Sequence, residues 1–251
     1  MLVATPPPSL FLDATYTHVR TTAQRQVIDG VLRDRAGRRI GRFNAACTRT
    51  ALERCSASGR SARGTIRLAG RSRASELVHT WRVVRATGAW RGVRGRAAVV
   101  DVGGRESLIG VGLGAPADRG FIARADRACR RASAKLAALP PFAFAGFDPL
   151  HPDPRLLPQV GAFFTGPGDP RPVLRALDRR LRALGRPPAA RATWRRLIAA
   201  RAHALANIEA QDRAALAADA PAFVATVHES TRAFRHVALP GLLFGAVGCV
   251  S

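Results

Sequence analysis

Lysine is almost missing from this sequence: Lys135 is the single one among 40 basic residues, so arginine carries the formal net charge of +23. An arginine-heavy, alanine-rich, lysine-poor chain is what a GC-rich coding sequence produces. The charge alone therefore does not mark a nucleic-acid binder. It is spread over both halves in short runs such as Arg38-Arg39, Arg130-Arg131 and Arg195-Arg196. A dedicated binder more often gathers its charge into one stripe or tail. Weak, salt-sensitive attraction to polyanions is expected, and a specific nucleic-acid partner is not. Long apolar runs are lacking too. None reaches the ~18 residues that a membrane-spanning helix needs. The longest near the C-terminus, Ala238 to Val250, is broken by Pro240 and three glycines.

Chemical signatures are equally scarce. There is no phosphate-binding loop, dinucleotide fingerprint, nucleophile elbow or H-E-x-x-H. The four cysteines, Cys47, Cys55, Cys129 and Cys249, have neither C-x-x-C spacing nor histidines at zinc-finger spacing. No cofactor and no metal is expected. Two cysteines fall in each half, which suits one disulfide per half, Cys47–Cys55 and Cys129–Cys249, and an oxidising compartment. Four cysteines allow three pairings, so this is a choice among them. The start, Met1 to Pro8, lacks the basic residue and apolar core of a signal peptide. Either a longer precursor was exported or the protein is cytosolic with free thiols. The expectation is a secreted or extracytoplasmic protein, with the cytoplasm as the alternative.

What is present divides near residue 115. The first half reads as β. Gln26 to Arg33 and Arg39 to Cys47 flank an Asp34-Arg35-Ala36-Gly37 turn. Gly64 to Ala69 alternates with period two, and Glu76 to Val84 continues the pattern. Arg96 to Val102 and Glu106 to Leu113 flank Gly103-Gly104, a hairpin signal. Short strands this close together predict a barrel or sandwich.

Residues 81–95 read Trp-Arg-Val-Val-Arg-Ala-Thr-Gly-Ala-Trp-Arg-Gly-Val-Arg-Gly. The Thr87-Gly88-Ala89-Trp90 and Val93-Arg94-Gly95 pieces resemble the Gly-rich turn of allene oxide cyclase-like and dirigent barrels. Arg85 and Ala86 stand where that family usually has two glycines, Val93 where it has alanine, and Trp90 where it has tyrosine or phenylalanine. Gly37, Gly41, Cys47, Cys55, Gly59 and Gly64 look like the bacterial exported branch. The resemblance covers residues 25–115 and implies an antiparallel β-barrel, with polar groups lining the lumen in family enzymes. The turn motif of Thr87, Gly88, Trp90 and Gly95 also reads without the family, as a tight structural closure of the barrel.

The second half, 116–251, reads as an antiparallel helical bundle. Asp118 caps a first helix to about Ala138. Asp169-Pro170 opens a second, ended by Gly185. Trp194, Ile198, Ala202, Leu205 and Ile208 stripe a third, and Asp219 caps a fourth. Residues 139–168 form a Pro-, Gly- and Phe-rich connection. This half resembles uncharacterised exported actinobacterial proteins.

The expected organisation is thus an N-terminal segment 1–24, a barrel 25–115 and a bundle 116–251. The first functional reading is an exported protein with a binding or interaction role, its partner a small apolar ligand or a protein. The alternative is a cyclase- or dirigent-like enzyme acting on a small apolar substrate in the lumen, and a non-specific polyanion binder is a third. Inward residues alternate along a strand, so the candidate lumen sets are Val27/Asp29/Val31 and His79/Trp81/Val83, the alternative being that these faces point outward to solvent. The ligand is expected near Trp90, oriented by Arg94 or His79. Catalytic residues stay open, and so does whether the protein is an enzyme.

Overall fold

A computed structural model describes residues 9–249 except 51, 73–77, 103–104, 143 and 145. The Gly103-Gly104 turn and the start of the strand expected from Glu76 lie outside the described residues. The chain forms two compact units: residues 1–114 together with 242–251, and residues 115–241.

The first unit is a closed barrel of eight antiparallel strands, each paired with its sequence neighbours and the last with the first. The strands are β1 Leu10–Thr21, β2 Arg25–Arg33, β3 Arg39–Thr48, β4 Glu53–Ser61, β5 Gly64–Ser72, β6 Val78–Ala86, β7 Arg96–Asp101 and β8 Glu106–Val111. Closure leaves no unpaired edge. β1 and β4 were not anticipated, and β1 lies inside the segment set apart as 1–24. The interior has two parts. Toward one end Leu12, Leu32, Ile66, Leu68, Ile109 and Val111 fill the lumen with apolar side chains. Gly59 leaves room there, since a Cβ would press on Leu32 and Ile66. Toward the other end the inward positions turn polar.

Trp90 and Val93 belong to the apolar part. They sit on the turn after β6, a short 3-10 segment Gly88–Trp90. Gly88, Gly92 and Gly95 all have positive φ, which glycine adopts freely. The turn is fastened to the β4–β5 hairpin, where Ala89 N–H donates to the Arg63 carbonyl at 2.6 Å and Thr87 N–H to Thr65 at 2.9 Å. The motif thus closes the barrel end.

Trp81 shows how tightly the interior is fitted. Its indole lies over Gly70, the residue opposite it on β5, and its Nε1–H donates to the buried Ser72 Oγ at 3.0 Å. A Cβ on Gly70 would overlap the indole ring. Gly70→Ala should therefore displace Trp81 and destabilise the chain by about 1–3 kcal/mol, the usual cost of overpacking. Denaturant titration and a changed tryptophan emission check this.

Residues 242–251 complete the barrel unit. β8 is buried from Ser107 to Val111 on both faces. Leu242 covers the outward Gly110, where a Cβ would come within 2.9 Å of a Leu242 methyl.

The second unit is helical: α1 Arg119–Ala137, α2 Leu157–Thr165, α3 Arg171–Ala183, α4 Arg191–Leu216 and α5 Ala220–Phe244, whose residues 242–244 belong to the first unit. α2 lies inside the stretch read as a connection. Phe121 and Trp194 meet edge to face at 4.9 Å. Phe142 contacts Phe144, Phe147, Phe163 and Phe164, so that stretch packs its aromatics on one another. Asp118 does not cap α1. Its buried carboxylate accepts the Ala189 and Ala190 N–H groups, each at 2.8 Å, at the start of α4.

Candidate functional site

The polar half of the barrel lumen holds a cavity of about 70 Å³, lined by Tyr16, Gln26, Ile28, Phe43, Glu53, the two lumen cysteines, Ser72, His79, Trp81, Val99, Asp101 and Ser107 among others. Strand alternation puts these residues there. His79 and Trp81 are two apart on β6, Val99 and Asp101 two apart on β7, and register pairs His79 with Val99 and Asp101 with Ser107. β1 carries an irregularity between Tyr16 and His18. Bulges of this kind re-aim a side chain locally. Tyr16 turns inward and stacks on Phe43, with ring centres 6.2 Å apart.

Four of these side chains form one hydrogen-bonded chain. His79 Nε2 lies 3.2 Å from Asp101 Oδ2. The other carboxylate oxygen of Asp101 accepts from Ser107 Oγ, and Ser107 is bonded in turn to the Tyr16 hydroxyl. Tyr16 also reaches Asp101 directly at 3.4 Å. Asp101 is partly exposed at 43% of its side chain, while His79 is buried at 7%. An ionised Asp101 accepts a proton bond from Nε2–H, which leaves the lone pair of the neutral ring on Nδ1. That Nδ1 is buried and has no hydrogen-bond partner in the protein. Burial, and then the Asp101 carboxylate, push the Tyr16 phenol well above its ordinary value. Tyr16 is therefore a permanent O–H donor near neutral pH. The site holds a proton acceptor at one end and a neutral donor at the other, with apolar walls from Ile28, Phe43, Trp81 and Val99.

Tyr16 is the single tyrosine of the chain, so its titration can be read without interference. The native protein should show no tyrosinate absorbance at ~10, where a free phenol titrates. A raised folded pKa means that this group's stabilisation is complete below ~10 and is lost as pH climbs toward the folded value. Denatured chain should titrate normally, and Asp101→Asn should bring the native transition down part of the way. A native titration at the ordinary value would show that Tyr16 is solvated.

The expected site residues fall in different places. His79 and Trp81 face the lumen. Asp29 does not. It lies on the outer wall, where Asn44 Nδ2–H donates to it at 2.7 Å and Arg20 stands at 3.5 Å. It borders an open external groove of about 740 Å³ that also includes Arg39, Arg42 and Arg60. β2 instead sends Gln26 and Ile28 into the cavity. Trp90 is buried in the apolar end, and Arg94 is exposed. Neither lines the cavity with His79. A ligand held by Trp90 and His79 together does not fit this barrel. Cys47 and Cys55 are directly opposed on β3 and β4 and form a disulfide in the lumen wall. No cysteine is free. Tyr16, Asp101 and Ser107 were missed by the sequence reading.

No protein-family model and no curated protein matches the chain. Among solved structures it is similar to a pyocyanin demethylase, at 15% identity and a TM-score of 0.36 over 41% of this chain and 98% of that one. It is also similar to AbnU, an exo-specific intermolecular Diels-Alderase, at 14% identity and a TM-score of 0.35 over 41% of this chain and 96% of that one.

Proposed function

We propose that this is a small-molecule barrel protein of the allene oxide cyclase/dirigent kind, whose lumen holds the reactive end of a ligand while His79 moves a proton on it. The observation that carries this reading is the His79–Asp101–Ser107–Tyr16 chain converging in a cavity with apolar walls. Acid–base work needs a positioned acceptor, an orienting carboxylate and a donor for developing charge. His79, Asp101 and Tyr16 fill those three roles. At about 70 Å³, the cavity is small, though above the ~10–15 Å³ that a single water needs. It therefore takes a small polar group, and the rest of a larger apolar molecule extends beyond it. Binding without turnover is the coarser form of the same proposal. An exported location agrees with four oxidised cysteines.

The test is a screen of small hydrophobic molecules with one polar end, read by tryptophan fluorescence. The chain has three tryptophans. The ligand-induced change should survive Trp90→Phe and Trp194→Phe and disappear with Trp81→Phe. If no ligand perturbs Trp81, and His79→Ala alters neither stability nor binding, the barrel is a structural module.

A further inference from the structure

We propose a second, latent site in the same lumen: when the Cys47–Cys55 bridge is opened, the two thiolates and the Glu53 carboxylate bind one zinc ion. Cys47, Glu53 and Cys55 offer ligand atoms that all lie within 4.8 Å of one another. All three line the lumen cavity. Glu53 and Cys55 are two apart on β4, hence on one face, and Cys47 is the direct cross-strand partner of Cys55. With Cα atoms 4.1 Å apart, the backbone that lets the sulfurs bond to each other also lets them separate toward a shared ion. Tetrahedral zinc with Zn–S bonds of ~2.3 Å needs its sulfurs roughly 3.8 Å apart. Two thiolates and one carboxylate select zinc over the hard cations magnesium and calcium. Three protein ligands leave a fourth position, the arrangement of an open site.

A phosphine reductant and one water convert the disulfide to two thiols, and the phosphine becomes its oxide. Zinc then displaces both thiol protons. The site uses neither His79 nor Asp101, so its failure and the failure of the acid–base reading are separable.

The experiment uses the full chain carrying Cys129→Ser and Cys249→Ser, with the phosphine-reduced wild type as a second route should that background fold poorly. Cobalt(II) is the probe. The reduced chain should take up one cobalt with a thiolate-to-cobalt absorption band. Zinc should displace it, and two protons should be released per ion bound. The oxidised chain should show no band. Glu53→Gln should weaken binding at least about tenfold, the lower end of what even an outer-shell partner contributes. The proposal is overturned if the reduced chain gives no such band. It is also overturned if the band persists in Cys47→Ser/Cys55→Ser, or if Glu53→Gln binds unchanged.

Discussion

An Asp118→Ala chain should lose about 3 kcal/mol or more of stability, since two hydrogen bonds to a charged group are each worth ~1.5–3 kcal/mol. α4 begins at Arg191 behind Ala190, which has no side-chain cap. A helix start leaves backbone N–H groups without partners. Here the partner comes from 71 and 72 residues away, as both Asp118 carboxylate oxygens accept a backbone N–H. Asp118 is 0% exposed, so no water replaces the lost carboxylate. Asp118→Asn retains one acceptor oxygen and should lose less. Denaturant unfolding read by Trp194, which is buried on α4, gives the midpoint. Equal midpoints for Asp118→Ala and wild type would mean that α4 does not depend on this cap.

His79→Asn should lower turnover of any substrate found by the screen by ~10²–10⁴, the range that a positioned general acid–base supplies. Asparagine is shorter than histidine and does not reach the Nε2 position that bonds Asp101, but it is small and polar, so the lumen should stay folded and ligand affinity should change far less than rate. Asp101→Asn should also slow the reaction, because an amide no longer fixes the imidazole tautomer. Unlike His79→Asn, it should also lower the Tyr16 titration. Ser107→Ala cuts the link between Asp101 and Tyr16 and should have the smallest effect of the three. If His79→Asn turns over normally while Tyr16→Phe does not, the proton acceptor has been misassigned and Tyr16 is the reacting group.

The barrel was legible where a strand alternates between polar and apolar residues, as on β6, and where the Gly103-Gly104 pair in the sequence signals a hairpin between β7 and β8. It was not legible on β4, whose inward residues are Cys55, Ala57 and Gly59. Gly59 has no room for a side chain, because Leu32 and Leu12 reach toward it and Ile66 lies beside it on β5. β1 escaped because Leu12, Asp13 and Ala14 are buried in succession, which erases the period of two. Asp29 is a lumen candidate in the sequence because Val27 and Val31 imitate a core face. A one-residue change of parity exchanges every side chain of a strand between faces. The true inward set mixes Gln26, Ile28 and Gly30 and carries no clear pattern. Tyr16 meets Asp101 and Ser107 across 85 and 91 residues, so no local motif marks them. Among the helices, α1, α3, α4 and α5 followed their apolar stripes. α2 was masked by the prolines and phenylalanines around it.

The barrel unit is written in two pieces, with the whole helical unit between them. During synthesis the eight strands emerge first, and Leu242, which covers Gly110 of β8, emerges in the last turn of the final helix, α5. The ribosome therefore delivers a nearly finished barrel whose β8 is still bare, and a nascent chain stalled in α5 would present that strand to chaperones. Short C-terminal deletions should thus act on the barrel, the part of the protein most distant from them in sequence.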